Sequence, residues 1–194
     1  VASRAFDLPP DQIDGELRRR VKAMSYGLAY GLSAFGLAKQ LKITPDEARA
    51  QMEAYFTRFG GVRDYLNSIV ADARQTGYTE TIMGRRRYLD KLNSDNRNLR
   101  EMAERAALNA PIQGSAADII KVAMLGVHRG LAEAGLRSRL LLQVHDELVL
   151  EIAPGERAAV EALVRQEMGG AYRLGDVDLD VSVGVGQTWH EAAH

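Results

Sequence analysis

The stretch LLLQVHDELVLEI, residues 140–152, constrains the fold of this chain more than any other. Its two apolar runs, residues 140–144 and 148–152, each have the length and β-rich composition of a buried strand. Together they read as a hairpin, yet a tight hairpin ordinarily turns on Asn-Gly or a similar pair. Here the tip is His145, Asp146 and Glu147, three ionisable residues in a row. Taken alone, such a tip is either a plain polar turn or a set of functional groups held on rigid strands. His145 is a poor candidate for a metal ligand, because no second His or Cys stands near it in sequence.

The hairpin sits late in a chain that otherwise reads helical. Asp11 or Asp14 can cap a helix over 15–30, and residues 33–41 carry a second, shorter helical pattern. In TPDEARAQMEAYFTRF, Thr44, Pro45 and Glu47 supply a cap, a first-turn proline and a capping box. Residues 62–76 repeat the 3.6-residue period and stop at Gly77. YTETIMGRRRYL predicts a small hairpin turning at Met83-Gly84. A helix over 97–109 is expected to be interrupted by Pro111, with Ser115 capping a second helix to Ala134 that ends at Gly135. Asp118 then serves that helix's N-terminus. After the ribbon come a helix over 155–168 and an alternating closing strand, DVDLDVSVGVG, whose exposed face carries Asp176, Asp178 and Asp180. Helices first and strands late define the α+β class, with a helical lobe in the first half and a sheet built mainly by the second.

Composition excludes several chemistries. The 194 residues contain no cysteine, so disulfides, thiolate metal sites and a cysteine nucleophile are impossible within this chain. No apolar run reaches membrane-spanning length and no signal peptide is evident, so a cytoplasmic protein without a membrane partner is expected. The net charge of −1 hides an asymmetry. Residues 1–100 hold 17 basic and 12 acidic side chains (+5), and residues 101–194 hold 8 and 14 (−6). The first half can meet a polyanion and the second can collect metal ions. The opening VASRAFDLPP has no Met and reads as mid-helix, so a piece of a longer protein is expected.

A second informative stretch is RRRVKAMSYGLAYG. Arg18, Lys22, Tyr26 and Tyr30 recur every four residues, drifting only about 40° per step around a helix, so they form one stripe. The stripe runs from cationic to aromatic, as a nucleotide runs from polyphosphate to flat base. Arg and Lys suit phosphate oxygens and a Tyr ring offers a stacking surface. Gly27 and Gly31 are expected to let a flat group approach closely. Spacing alone equally allows a solvated basic face that merges into core aromatics.

Taken in order, RRRVKAMSYGLAYG, NAPIQGSAADIIK and QVHDE resemble three blocks of the family A DNA polymerases, the bacterial DNA polymerase I type. GRRRYL and the closing VGVGQTWHEAAH also fit, and the resemblance covers essentially the whole chain. It implies a right-hand polymerase, with helical fingers on a partial antiparallel palm sheet. Residues 1–95 would be mainly fingers and 96–194 mainly palm. The resemblance makes Arg18 and Lys22 the holders of the incoming dNTP's triphosphate, with Arg19 a weaker phosphate contact. Tyr26 would stack near base and sugar, and Tyr30 would sit at the template-base position. Because the family carries Phe or Tyr at Tyr26, and a Tyr hydroxyl compensates for a missing sugar 3′-OH, ready incorporation of dideoxynucleotides is implied. Asp146 and Glu147 would serve Mg²⁺, two ions in the complete enzyme, Asp146 as ligand and Glu147 beside it; with Lys22 they form the catalytic set. His145 would contact the primer end. Arg105, Asn109 and Gln113 would follow the minor groove of the primer–template, where acceptors occur at every base pair. Arg86, with its neighbours Arg85 and Arg87, would lie near the DNA backbone. The implied partners are primer–template DNA and dNTPs, the implied setting replication and repair at the nucleoid, and the full-length protein is expected to be a monomer.

The sequence also departs from the family pattern. The upstream motif of roughly Asp-Tyr-Ser-Gln-Ile-Glu, which supplies a second metal-binding Asp, does not occur in it, nor does a thumb or an exonuclease region. The 194 residues alone are therefore expected to be inactive and only marginally stable, with apolar surface of the ribbon exposed. Two other classes stay open on the residues themselves: a two-metal nuclease or phosphatase, which has no need of the Arg/Lys/Tyr stripe, and a non-catalytic DNA-binding module.

Overall fold

The computed structural model describes residues 9–192. The mid-helix opening read from sequence falls outside these, apart from its last two residues, which lead into a single 3-10 turn at Pro10–Gln12. The chain divides into two compact units, the first ending at Ile112 and the second beginning at Gln113. The α+β class expected from sequence is what the structure has: helices throughout, with two separate two-stranded antiparallel sheets among the described residues.

In the first unit, helix α1 (Gly15–Ala29) starts at Asp14, whose side chain accepts from the Leu17 N–H at 2.7 Å. Ser33 caps α2 (Ala34–Leu41) in the same way through Gly36 N–H. The capping box of α3 (Pro45–Arg58) is complete, with Thr44 Oγ1 accepting from Glu47 N–H and Glu47 accepting from Thr44 N–H. Helix α4 (Gly60–Thr76) ends at Gly77 in the left-handed conformation at φ 82. These caps satisfy terminal backbone groups that would otherwise lack partners. The small hairpin follows as β1 (Tyr78–Glu80) and β2 (Arg86–Tyr88), with Thr79 opposite Arg87. Met24 and Leu28 of α1, Leu37 and Ala38 of α2, and Ala48 and Tyr55 of α3 make one core. Ile69 and Ala73 of α4 make another with Leu89, Leu92, Ala103 and Ala107.

Pro111 does not interrupt the chain: helix α5 runs unbroken from Arg97 to Glu133, with Pro111 inside it. Proline lacks the N–H that would bond the carbonyl four residues back, at a cost of about 3 kcal/mol in a helix interior. Burial outweighs that loss, since Ala103, Ala107 and Pro111 lie buried before the break point and Ala123, Val127 and Leu131 after it. Ser115 is therefore not a cap, and Asp118 lies mid-helix and 4% exposed rather than at an N-terminus. The cap of α5 is Asn96, whose Oδ1 accepts from the N–H groups of Asn98 and Leu99.

In the second unit, β3 (Arg139–Val144) and β4 (Glu147–Glu151) form the expected hairpin, with Val144 opposite Glu147. The register shifts between Leu140 and Leu142, leaving Leu141 as a bulge. The ribbon is less buried than its sequence suggests: Leu141 and Leu142 are about half exposed. Only the β4 side packs, where Leu148, Leu150 and Ile152 join Val127 and Leu131 of α5 and Val160 and Val164 of α6 (Arg157–Gly169). The closing segment is not a strand. Past an isolated bridge between Leu174 and Val177 it stays extended without a ladder, because no described strand runs beside it. Its alternation still governs burial: Val181 and Val183 pack on the core, and Asp176, Asp178 and Asp180 are exposed as expected. Arg165 donates to the Val181 carbonyl, giving that unladdered backbone one partner. A short helix, α7 (Trp189–Ala192), ends the described chain.

Candidate active-site residues

The striped helix is a two-faced element. Val21, Met24 and Leu28 of α1 are buried, while Arg18, Lys22 and Tyr26 are exposed on the other side. Tyr26 stacks on Tyr30, with ring centroids 6.3 Å apart and planes at 29°. The Lys22 ammonium lies 5.9 Å from the Tyr26 ring centre, within cation–π range. Arg18 and Lys22 pair with no carboxylate among the described residues, which leaves their charges for an anion. Arg19 instead bonds Glu16 at 2.6 Å, and Arg20 reaches the same carboxylate at 3.3 Å. These exposed pairs are weak enough to exchange for a stronger anion. The open approach expected at Gly27 and Gly31 is not found: a side chain at Gly27 would strike Leu32, and one at Gly31 would strike Leu108. Gly31 also adopts φ 70, which favours glycine. Both glycines serve internal packing.

Arg105, Asn109 and Gln113 all lie on α5, at intervals of four residues. The stem of Arg105 passes beside Gly31. The Oδ1 of Asn109 is buried without a hydrogen-bond partner among the described residues, so this amide retains an unused acceptor. In the small hairpin, Arg86 bonds Glu80 at 2.8 Å and lies 4.4 Å over the Tyr78 ring, which in turn meets Tyr88 edge-on. Arg86 thus ties the two strands together, and its bond to Glu80 holds its guanidinium above its ordinary pKa.

The ribbon tip answers the question its sequence raises. His145 takes φ 54, one of two non-glycine residues with positive φ among those described. That conformation costs an L-residue about 1–2 kcal/mol, and persists only where surroundings impose it. The two-residue turn between the paired Val144 and Glu147 calls for it, and Gln143 braces that turn, its side-chain amide donating to the His145 carbonyl at 2.6 Å. The turn leaves Asp146 and Glu147 exposed at the end of a groove of about 1210 Å³ walled by β4, α6 and the closing segment. Glu147 is not free: its Oε2 accepts from the indole N–H of Trp189 at 3.3 Å. Sequence reasoning missed both Gln143 and Trp189. The one available signal was that Trp189 is the only tryptophan in the chain.

Two adjacent carboxylates are hard oxygen donors of the kind Mg²⁺ prefers, the remaining positions falling to water and phosphate oxygens. Among the described residues no group of three or more His, Cys, Asp or Glu could hold a metal ion. The donors present fit such an ion but do not complete a site for it.

The model of DNA polymerase family A matches residues 1–191. The chain is 71% identical over its full length to DNA polymerase I of Mycobacterium bovis, 68% to that of Mycobacterium leprae, and 47% over 192 residues to that of Pseudomonas aeruginosa. In each case it spans about a fifth (21%) of the relative's length. A solved structure of the POL domain of Pol1 from M. smegmatis, in complex with DNA primer-template and dNTP, superimposes with a TM-score of 0.96 at 67% identity, covering all of this chain and 34% of that one. With its fold and its ordered motifs both matched, this chain belongs to DNA polymerase family A.

Proposed function

We propose that this chain supplies the dNTP-binding fingers and part of the catalytic palm of a template-directed DNA polymerase that acts in replication and repair. The observation that carries this reading is α1, where Arg18, Lys22 and Tyr26 are exposed along a helix whose other face is buried. Arg18 and Lys22 hold the triphosphate, with Arg19 joining once it leaves Glu16. Tyr26 stacks against the nucleotide and Tyr30 against the template base. Residues 1–95 act as fingers and 96–194 as palm. Arg105, Asn109 and Gln113 read the shape of the minor groove without reading sequence, and Arg86 with its hairpin lies along the DNA backbone.

In the reaction the primer 3′-oxygen bonds the α-phosphorus of the dNTP, the bond to the pyrophosphate oxygen breaks, and the 3′-OH proton leaves to solvent. Asp146 and Glu147 would hold divalent cations, Mg²⁺ in the family reading, and ions held there would supply positive charge that lowers the 3′-OH pKa and neutralises the triphosphate. Lys22 places a fixed positive charge on the triphosphate, and His145, in its imposed turn, meets the primer end. Among the described residues no third carboxylate or imidazole joins Asp146 and Glu147, so these two by themselves do not complete a two-ion site. The full-length protein acts as a monomer on primer–template DNA at the nucleoid. None of the described helices is long and apolar enough to cross a membrane.

Primer extension with Mg²⁺ tests this, using the chain alone and a longer version extended upstream, each with and without Asp146→Ala. Extension by the longer version only, abolished by Asp146→Ala, is expected. Extension by the 194 residues alone, still requiring Asp146, means another carboxylate in them completes the site.

A further inference from the structure

Trp189 lies 42 positions after Glu147, and the closing segment is shaped to bring them together. A Cβ at Gly184 would overlap the carbonyl oxygen of Ala192, and one at Gly186 would strike Glu191. The two glycines let α7 fold flat against the segment it follows. The turn is then locked at its start: Glu191 N–H donates to Thr188 Oγ1 at 3.3 Å, and Gln187 N–H donates to the Glu191 carboxylate at 2.8 Å. Held this way, the Trp189 indole N–H meets Glu147 Oε2. Each end of the acidic tip thus has a partner from outside the three ionisable residues: Gln143 on the His145 carbonyl, Trp189 on the Glu147 carboxylate.

From this geometry we infer that Trp189 is a positioning residue for the cation site at the ribbon tip. The inference rests on the reading of Asp146 and Glu147 as cation ligands. A glutamate with a free rotor loses side-chain entropy when it meets an ion. The indole N–H fixes the Glu147 carboxylate beforehand through Oε2, which would leave Oε1 available to an ion or its water. A neutral donor does this without placing a competing cation beside the site. Outer partners of this kind orient ligands and tune affinity.

Tb³⁺, a hard oxygen-seeking ion, is the probe, and the 194-residue chain is the sample. Calorimetry gives its affinity for wild type, Trp189→Phe, Glu147→Gln, the double variant and Asp146→Ala. Excitation of the single tryptophan reports whether the bound ion lies beside it. Wild type is expected to bind with sensitised Tb³⁺ emission, and Asp146→Ala to lose both. Trp189→Phe should weaken binding about 10-fold, yet have no effect once Glu147 is Gln. Gly184→Ala, which displaces α7 without touching the indole, should reproduce the weakening, and far-UV circular dichroism confirms that each variant is folded. Equal weakening by Trp189→Phe in both backgrounds, or none in either, overturns the positioning role while leaving the cation site intact. Binding that ignores Asp146, or no binding at all, overturns the cation-site reading and the positioning role with it.

Discussion

Ser138 and Glu156 are clasped together: the Ser138 hydroxyl donates to Glu156 Oε2 at 2.7 Å while accepting from the Ala153 N–H at 2.9 Å. The same carboxylate also receives the backbone N–H groups of Arg137 and Ser138. One side chain thereby ties the entry to β3 to the start of α6, and so closes the base of the ribbon whose tip carries Asp146.

These donors, Ser138 hydroxyl first, lower the Glu156 carboxyl from its ordinary 4.5 to about 2. Between those values the unfolded chain binds the proton and the folded chain does not, so stability rises with pH there. The clasp's contribution is complete above pH 4.5 and is lost as the pH falls towards 2. Thermal melts of wild type and Glu156→Gln from pH 2 to 6 should differ most at the upper end and converge at the lower. A gap of constant size across that range would falsify this account.

Lys42 and His145 both sit at positive φ, at 57 and 54, and glycine should relieve both. After the entropy glycine loses on folding, the gain is about 0.5–1 kcal/mol. Lys42→Gly, at the exposed end of α2, should raise the melting temperature and leave primer extension by the longer enzyme unchanged. His145→Gly should raise it similarly but slow extension if the imidazole meets the primer end as proposed. If both variants extend primers normally, His145 has no part in the reaction.

Thr79 is buried on β1, and its hydroxyl has no hydrogen-bond partner among the described residues. A buried hydroxyl of this kind costs roughly 1–3 kcal/mol. Val fills the same shape without it and is at least as good a strand residue. Thr79→Val is therefore expected to stabilise the chain by about 1 kcal/mol in urea unfolding, within the cost of the unpaired group. A lower unfolding midpoint would show that the hydroxyl is satisfied by water.

Tyr26 is 54% exposed beside the Lys22 ammonium, with its ring on Tyr30. If its hydroxyl replaces the missing 3′-OH of a dideoxynucleotide, Tyr26→Phe in the longer enzyme should sharply increase discrimination against dideoxynucleotides. Competition between each dNTP and its dideoxy form measures the ratio directly. Identical ratios for the two enzymes would remove Tyr26 from this role.

What could be read from sequence was local. Asp14, Ser33 and the Thr44–Glu47 box bond backbone groups within three residues, and Gly77 ends its helix through its own φ, so their signals do not depend on the rest of the chain. The order of the basic, aromatic and acidic motifs was likewise visible, and with it the family. Features that depend on distant partners were not. Pro111 stays inside α5 because buried neighbours on both sides outweigh one lost hydrogen bond. Residues 176–186 alternate as a strand does, but a ladder needs a second backbone, and no described strand offers one. Gly27 and Gly31 read as open space until folding brought Leu32 and Leu108 against them. The indole of Trp189 reaches Glu147 only because Gly184 and Gly186 let the chain turn back on itself. Caps and motifs are fixed by bonds a few residues long, whereas burial, strand pairing and the company of a carboxylate are set by what the whole chain brings to the same place.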